Sequence, residues 1–159
     1  MRWMATGAAM LLLAGCNEIS TGSDGPDGNE AQMVEEMAQL VNEHRQARGG
    51  PALIWLQPAS DAAQGHSADM ARRDYFDHVS PEGQEPWDRL EARGVGFSMM
   101  AENIAYTPRR SARETLQQWI GSRGHRENLE NCGYTHHGIG LQDAYWPHVF
   151  VTPLAAGNE

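Results

Sequence analysis

The chain has 159 residues, of which 12 are basic and 21 acidic, giving a formal net charge of −9, and it contains no lysine. Binding to nucleic acid or to anionic lipid headgroups depends on basic patches, so this balance argues against both partners. Residues 31–153 are enough for one hydrophobic core, and we expect a single, monomeric domain there.

The N-terminus predicts a lipoprotein signal peptide over residues 1–15. Arg2 is followed by an apolar stretch from Met4 to Gly15, which is too short to span a bilayer as a helix. Leu13-Ala14-Gly15-Cys16 is typical of a bacterial lipoprotein cleavage site, with Cys16 lipidated; an ordinary signal peptide with a chance cysteine is the alternative. We therefore expect a lipid anchor in a membrane and a location in the cell envelope outside the cytoplasm, either periplasmic or at the cell surface.

Two segments outside the domain are predicted to lack regular secondary structure. Residues 16–30 are rich in glycine, serine and acidic side chains and predict a flexible tether. Residues 154–159 predict a disordered tail.

The first half of the domain is mainly helical. Apolar residues at helical spacing predict a helix over residues 30–47, and a second helix follows from Pro58 or Ala59 to Asp74. The apolar run at residues 53–56 fits either a strand or an extended segment. A turn at Ser80-Pro81-Glu82-Gly83 precedes a short third helix over residues 86–93, which Pro86 can open.

The second half ends in strands. Residues 99–105 form a segment that is expected to be buried around Glu102. The capping box Ser111-Ala112-Arg113-Glu114 predicts a fourth helix from Ala112 to about Gly121. Residues 124–129 predict a compact turn or a single helical turn, and alternating apolar residues after them predict a β-hairpin. Helices first and strands last indicate an α+β fold.

Two histidines and a glutamate are the candidate site. His78 and His125 lie next to Gly, Ser or Pro, as turn residues do, and Glu102 lies between them in the chain. If the three side chains meet, they form a credible divalent-metal or acid–base site. Hydrogen bonding within turns, and a purely structural carboxylate, are the alternatives.

The remaining histidines and the second cysteine are given structural roles. His44, His66 and His148 lie on apolar faces and are expected to be packed and hydrogen-bonded. His136 and His137 are adjacent on a strand and point to opposite faces, so they do not share a metal easily. Cys132 has no partner if Cys16 is lipidated, and we expect it to be a small buried apolar group.

The order of the motifs resembles the bacterial branch of the CAP superfamily, which comprises cysteine-rich secretory proteins, antigen 5 and pathogenesis-related 1 proteins. The landmarks are Val41-Asn42-Glu43-His44-Arg45, Ser67-Ala68-Asp69-Met70-Ala71, Phe76-Asp77-His78-Val79-Ser80-Pro81-Glu82-Gly83, Pro86-Trp87-Asp88-Arg89-Leu90, Glu102-Asn103-Ile104-Ala105, Trp119, Gly124-His125-Arg126-Glu127-Asn128-Leu129, Gly138-Ile139-Gly140-Leu141, and Tyr145-Trp146 with Phe150. The resemblance implies a three-layer α-β-α sandwich with a small central antiparallel sheet.

The resemblance also implies a cavity that His78, Glu102 and His125 share. His78 matches the first cavity histidine and Glu102 the motif glutamate, whereas His125 takes the role of the second histidine by analogy only. Ser122 stands where eukaryotic members carry a second glutamate, so the cavity set is incomplete. The resemblance suggests a divalent metal, with zinc favoured, or a lipid or sterol as ligand. The cleft is expected to include Glu82, Trp87, Tyr106 and Glu127.

Three functions follow from these expectations. The first is a lipid-anchored binding module of the cell envelope with a His–Glu–His cleft. The second is a metal-dependent hydrolase in which His78, Glu102 and His125 are catalytic and Glu82 or Glu127 is the base. The third is a structural or interaction lipoprotein in which the same three residues hold loops together. The binding module is the function that we favour.

Overall fold

The structure is a computed structural model that describes residues 28–155. The predicted signal peptide, Cys16 and most of the predicted tether lie outside the described residues, as do residues 156–159. The last three residues of the predicted tether, 28–30, instead form the first turn of a helix. At the other end, the backbone amide of Leu154 donates to the carbonyl of Gly96 at 3.0 Å, so regular hydrogen bonding extends to residue 154.

Within residues 28–155 the chain forms five helices and four strands. The helices are α1 Gly28–Ala47, α2 Gln57–Arg73, α3 Pro86–Glu91, α4 Ala112–Gly121 and α5 Arg123–Glu130. The strands are β1 Ile54–Trp55, β2 Phe97–Tyr106, β3 His136–Ile139 and β4 Tyr145–Pro153. The helices that periodicity and capping predicted are present with small shifts at their ends, and Ser111 caps α4 by accepting from the amide of Glu114. None of the helices in this range has the length and apolar composition that crossing a membrane requires.

The structure refines two local expectations and corrects a third. Residues 124–129, predicted as a compact turn or a single helical turn, belong to the eight-residue helix α5, which buries Leu129. The segment around Glu102 is buried at residues 102–105, as predicted, but exposed at Met99, and it is part of the ten-residue strand β2. Cys132 is exposed and not buried, because it lies in the short turn between α5 and β3, where its Sγ approaches the Glu130 carbonyl oxygen at 3.8 Å.

The four strands form one sheet in the order β1-β3-β4-β2. β4 pairs antiparallel with both β2 and β3, which confirms the predicted hairpin. β1 pairs parallel with β3, so the sheet is mixed and not wholly antiparallel. β1 and β2 are the two edge strands.

The helices cover both faces of the sheet. α1, α4 and α5 pack on one face through a core that includes Trp119, Trp146 and Phe150. α2 and α3 pack on the other face, where Ala63, Leu90 and Val149 belong to a second core. The predicted α+β fold with three α-β-α layers is confirmed.

A pair of buried imidazoles lies under α4. His137 Nδ1 and His148 Nε2 are 3.1 Å apart, and the His148 ring packs against Trp119 and Phe150. Burial lowers the pKa of His137 to about 4 and the pKa of His148 well below its ordinary value. Both rings are therefore neutral near pH 7, and one donates a hydrogen bond to the other. His148 is packed and hydrogen-bonded, as predicted.

Glycine allows α2 to lie directly on β3. A Cβ added at Gly138 would overlap backbone atoms of Ala59 and Ser60 in α2. The Ser60 hydroxyl donates to the Ile139 carbonyl at 2.8 Å, which fixes the same contact. A rotation of α2, or a local shift of α2 away from β3, would break this hydrogen bond.

We therefore expect Gly138→Ala to lower the free energy of unfolding by roughly 3 kcal/mol. The added Cβ would overlap backbone atoms of α2, which cannot move aside as the end of a flexible side chain can. Gly121→Ala is the matched control, because a Cβ there meets nothing within 4 Å; it should change stability by less than about 1 kcal/mol. Chemical denaturation of both variants measures the difference. Equal stability of the two would show that α2 is not held this close to β3.

Candidate functional site

A buried ion pair lies at the centre of the candidate site. Glu102 on β2 and Arg89 on α3 have side chains that are only 1% and 7% exposed. Arg89 Nη2 donates to both carboxylate oxygens of Glu102, at 3.2 and 3.0 Å. A buried carboxylate requires such a partner, because transferring its charge out of water costs several kcal/mol.

His78 hydrogen-bonds to this pair from the loop after α2. Its Nδ1 lies 2.9 Å from Glu102 Oε1. A carboxylate can only accept, so Nδ1 is the ring nitrogen that donates, and Nε2 is the ring nitrogen that faces away from Glu102. His78 Nε2 has no hydrogen-bond partner among the described residues, and the side chain is 44% exposed. The arrangement presents an oriented ring nitrogen to solvent.

Backbone contacts hold the His78 loop on two sides. Arg89 Nη2 donates to the His78 carbonyl at 2.9 Å, and Arg89 Nη1 donates to the Gln84 carbonyl at 3.1 Å. From α2, His66 Nε2 donates to the Asp77 carbonyl at 2.9 Å. Burial lowers the pKa of His66. His66 is thus the packed, hydrogen-bonded histidine that the sequence predicts, and it positions the neighbouring loop.

The next residue of β2 holds the other histidine. Asn103 points to the opposite face from Glu102, and its Nδ2 donates to the backbone carbonyl of His125 at 3.0 Å. Asn128 Nδ2 donates to Asn103 Oδ1 at 2.9 Å, which ties α5 to the strand a second time. Adjacent side chains of one strand therefore position His78 in one layer and His125 in the other.

Because β2 is an edge strand, the two histidines lie on either side of the free edge of the sheet. The surface between them, which we call the β2 cleft, is defined by His78, Glu102 and His125. Burial lowers the pKa of the half-buried His125, and repulsion from His78 lowers it further. The structure thus brings His78 and Glu102 into direct contact and places His125 close enough to interact with His78, and burial favours the neutral form of His125.

A three-ligand metal site does not fit these contacts. Both oxygens of Glu102 accept from Arg89, and a cation bound to them would lie against the guanidinium. Within residues 28–155, no group of three or more His, Cys, Asp or Glu side chains is arranged to hold a metal ion. Glu102 suits the role of the carboxylate behind a metal-binding histidine and not that of a ligand. Zinc binding stays a prediction, and the imidazoles of His78 and His125 are its candidate ligands.

The four further residues that the sequence assigned to the cleft are spread over the surface. Glu82 accepts two hydrogen bonds from Arg73, which lower its pKa to about 2. Glu127 accepts from Arg123 at 2.8 Å. The side chains of Trp87 and Tyr106 are about half exposed. Tyr106 shares a face of β2 with Glu102 but lies four residues away, about 13 Å along the strand, and it lines a separate groove.

Sequence reasoning missed Arg89, Asn103 and Asn128. Each stands in a motif that was recognised, but none was given a role. The signal that could have identified Arg89 was the expected burial of Glu102, since a buried carboxylate needs a cation and Arg89 lies in the short helix before it. No comparable signal exists for the two asparagines, whose partners are each other and a backbone carbonyl.

Comparison with known proteins relates the chain to one family. The profile described as "CAP: Cysteine-rich secretory protein family" matches residues 38–151. The membrane protein YlbC of Bacillus subtilis is 38% identical over 117 residues, which are 74% of this chain and 34% of YlbC. YkwD of the same organism is 32% identical over 119 residues, covering 74% of this chain and 46% of YkwD. The chain thus spans between a third and a half of these relatives.

Solved structures show the same fold. An extracellular protein of Bacillus anthracis that contains an SCP domain superposes with a TM-score of 0.74 at 37% identity, over 77% of this chain and 41% of that one. An outer surface protein of Borrelia burgdorferi superposes with a TM-score of 0.71 at 16% identity, over 77% and 94% of the two chains. At that low identity the second likeness concerns the fold alone.

The buried ion pair predicts a large effect of Arg89→Leu. The substitution leaves the carboxylate of Glu102 buried without its cation, so we expect a loss of about 3–5 kcal/mol in the free energy of unfolding. Arg93→Leu is the control, because Arg93 is exposed and forms no ion pair with any residue of the described range; its effect should stay within about 0.5 kcal/mol. Similar losses in both variants would contradict the assignment.

Because His78 and His125 interact, the pKa of His125 should depend on the presence of His78. In His78→Gln, the pKa of His125 should rise because the repulsion is removed, yet remain below its ordinary value because His125 is still partly buried. Following the His125 imidazole signals by NMR across pH measures this. His136→Gln, which changes a histidine outside the cleft, should leave the His125 titration unchanged; an unchanged pKa in His78→Gln would mean that the rings do not interact.

Proposed function

Since this chain belongs to the cysteine-rich secretory protein (CAP) family, we propose that it is a binding module whose ligand site is the β2 cleft. The ligand is an electron-pair acceptor held by the unprotonated ring nitrogens of His78 and His125. Two kinds of ligand have this chemistry, namely a small molecule that donates a hydrogen bond and a divalent metal ion such as zinc.

The observation that carries the proposal is the orientation of His78. Arg89 holds the Glu102 carboxylate in place, and Glu102 accepts a hydrogen bond from His78 Nδ1, so Nε2 faces outward. Because the loop is already fixed by Arg89 and His66, His78 is available for binding.

The proposed location is the cell envelope. The motif Leu13-Ala14-Gly15-Cys16 supports a lipid anchor at Cys16. The related protein of Bacillus anthracis is described as extracellular, and YlbC is described as a membrane protein. Both descriptions support a place outside the cytoplasm, where the membrane is a partner through the anchor.

Hydrolysis is the weaker alternative. It needs a base beside the histidines, and the two carboxylates suggested for this role are both paired with arginines. The lowered pKa of Glu82 makes it a poor proton acceptor at neutral pH. The structural alternative, in which the cluster only holds loops together, is supported by the contacts of Asn103 and is distinguished below by ligand binding.

Calorimetric titration with zinc tests the metal arm of the proposal. We expect the wild-type protein to bind one ion and the His78→Ala/His125→Ala variant to bind none. Affinity should weaken as pH falls, because protonation of the imidazoles competes with the metal. His136→Ala is the matched control, since it removes a histidine outside the cleft and should bind as the wild type does.

A panel of sterols and other lipids that carry a hydroxyl group tests the small-molecule arm on the same proteins. Saturable binding that the double variant loses would support the cleft as a lipidic site. The binding proposal fails if neither zinc nor any member of the panel binds, or if binding survives in the double variant. A fall in melting temperature with no change in binding would then favour the structural role.

A further inference from the structure

A groove of about 310 Å³ lies beside the end of β2, separate from the β2 cleft. It is lined by Asp74, Tyr75, Phe76, Tyr106 and Tyr145, and we call it the aromatic groove. Four of its five residues carry aromatic rings. The fifth is a carboxylate, and no arginine or histidine lines the groove.

The rings are held in place by the fold. Tyr106 on β2 and Tyr145 on β4 are directly paired across the sheet, and their ring centroids lie 5.0 Å apart at an angle of 60°. The Phe76 ring lies 6.3 Å from that of Tyr145, inclined by 41°. The Ser67 hydroxyl fixes the backbone of Tyr145 by donating to its carbonyl at 2.7 Å. The aromatic surface is therefore preorganised.

Two of these rings expose apolar surface to water, which is unfavourable in free energy. Phe76 and Tyr106 are each 50% exposed, although burying a ring of this size is favourable. Neither ring belongs to the two cores described above. Exposed aromatic rings that line a common concave surface indicate a binding site more strongly than scattered apolar residues do.

The electrostatics of the groove favour a cation. Asp74 forms no ion pair with any residue in the described range. A second carboxylate, Asp143, is paired with Arg110 at 3.4 Å and lies close enough to Tyr145 to raise the pKa of its hydroxyl beyond what burial does. The faces of aromatic rings carry negative potential, which adds to that of the carboxylate. The protein already uses this attraction at one ring, where the Arg73 guanidinium carbon lies 5.9 Å from the Tyr75 ring centroid.

We propose that the aromatic groove binds a quaternary ammonium group, with Phe76, Tyr106 and Tyr145 contacting its methyl groups and Asp74 balancing its charge. A primary ammonium or guanidinium ion makes its strongest contacts as a hydrogen-bond donor to anionic oxygens, and the groove offers it the carboxylate of Asp74 alone. A quaternary ammonium ion has no N–H donor and is weakly hydrated, so it gains from ring faces and one carboxylate. The group occurs both in free choline and in choline lipid headgroups.

Titration with choline, followed by NMR of the intact protein, tests this directly. We expect shifts at the aromatic groove and saturable binding. Phe76→Ala and Tyr106→Ala should each weaken binding by roughly 2- to 30-fold, the range that one cation–π contact provides. Asp74→Asn should also weaken it, and should reduce its dependence on salt.

Two controls separate this site from general apolar binding. Trp55→Ala removes an exposed aromatic side chain at the opposite edge of the sheet and should leave choline affinity unchanged. The ligand 3,3-dimethyl-1-butanol has the shape of choline without its charge and should bind far more weakly. Equal affinity for the two ligands, or no binding of choline in large excess, would overturn the proposal. The spectrum of each variant establishes that it is folded.

Vesicles identify the source of the group. Sedimentation with phosphatidylcholine vesicles that Phe76→Ala abolishes would assign the groove to a lipid headgroup. Binding of free choline without vesicle binding would assign it to a soluble ligand. The zinc titration of the β2 cleft is independent of both results, because no residue is shared between the two sites.

Discussion

The ion pair between Glu102 and Arg89 is the constraint on which the candidate site depends. It neutralises a carboxylate that the fold buries, it orients the ring of His78, and through Arg89 it fixes the backbone of the loop that carries this histidine. A buried pair of this kind contributes little net stability compared with apolar residues of the same size. Its retention in the core is better explained by the geometry that it imposes on His78 than by the free energy of folding.

Adjacent residues of β2 extend this constraint to both layers. Glu102 and Asn103 point to opposite faces of the sheet. One strand can therefore position His78, from the loop after α2, on one face and His125, from α5, on the other face. The arrangement requires an edge strand, since a central strand would have a neighbour where the cleft lies. The same face of β2 continues to Tyr106, which places the aromatic groove on the rigid frame that supports the cleft.

Local patterns predicted the parts of the fold that local interactions determine. α1 and α4 follow from apolar spacing and from the cap at Ser111, and the hairpin of β3 and β4 follows from alternation. β2 was not recognised as a strand, because its buried polar residues Glu102 and Asn103 obscure the alternation, and their burial depends on partners distant in the chain. The meeting of His78, Glu102 and His125 came from the family resemblance, and the role of Arg89 required the structure.

The neutral imidazole pair in the core gives the fold a lower pH limit. An unfolded chain takes up protons on His137 and His148 near pH 6.5, whereas in the folded protein burial lowers the pKa of His137 to about 4 and the pKa of His148 well below its ordinary value. Between about pH 6.5 and pH 4 the unfolded state binds more protons than the folded state does. The contribution of the neutral pair to the free energy of unfolding is therefore fully present above about pH 6.5 and decreases as the pH falls. Acid would thus destabilise the protein through two groups in its interior that solvent does not reach in the folded state.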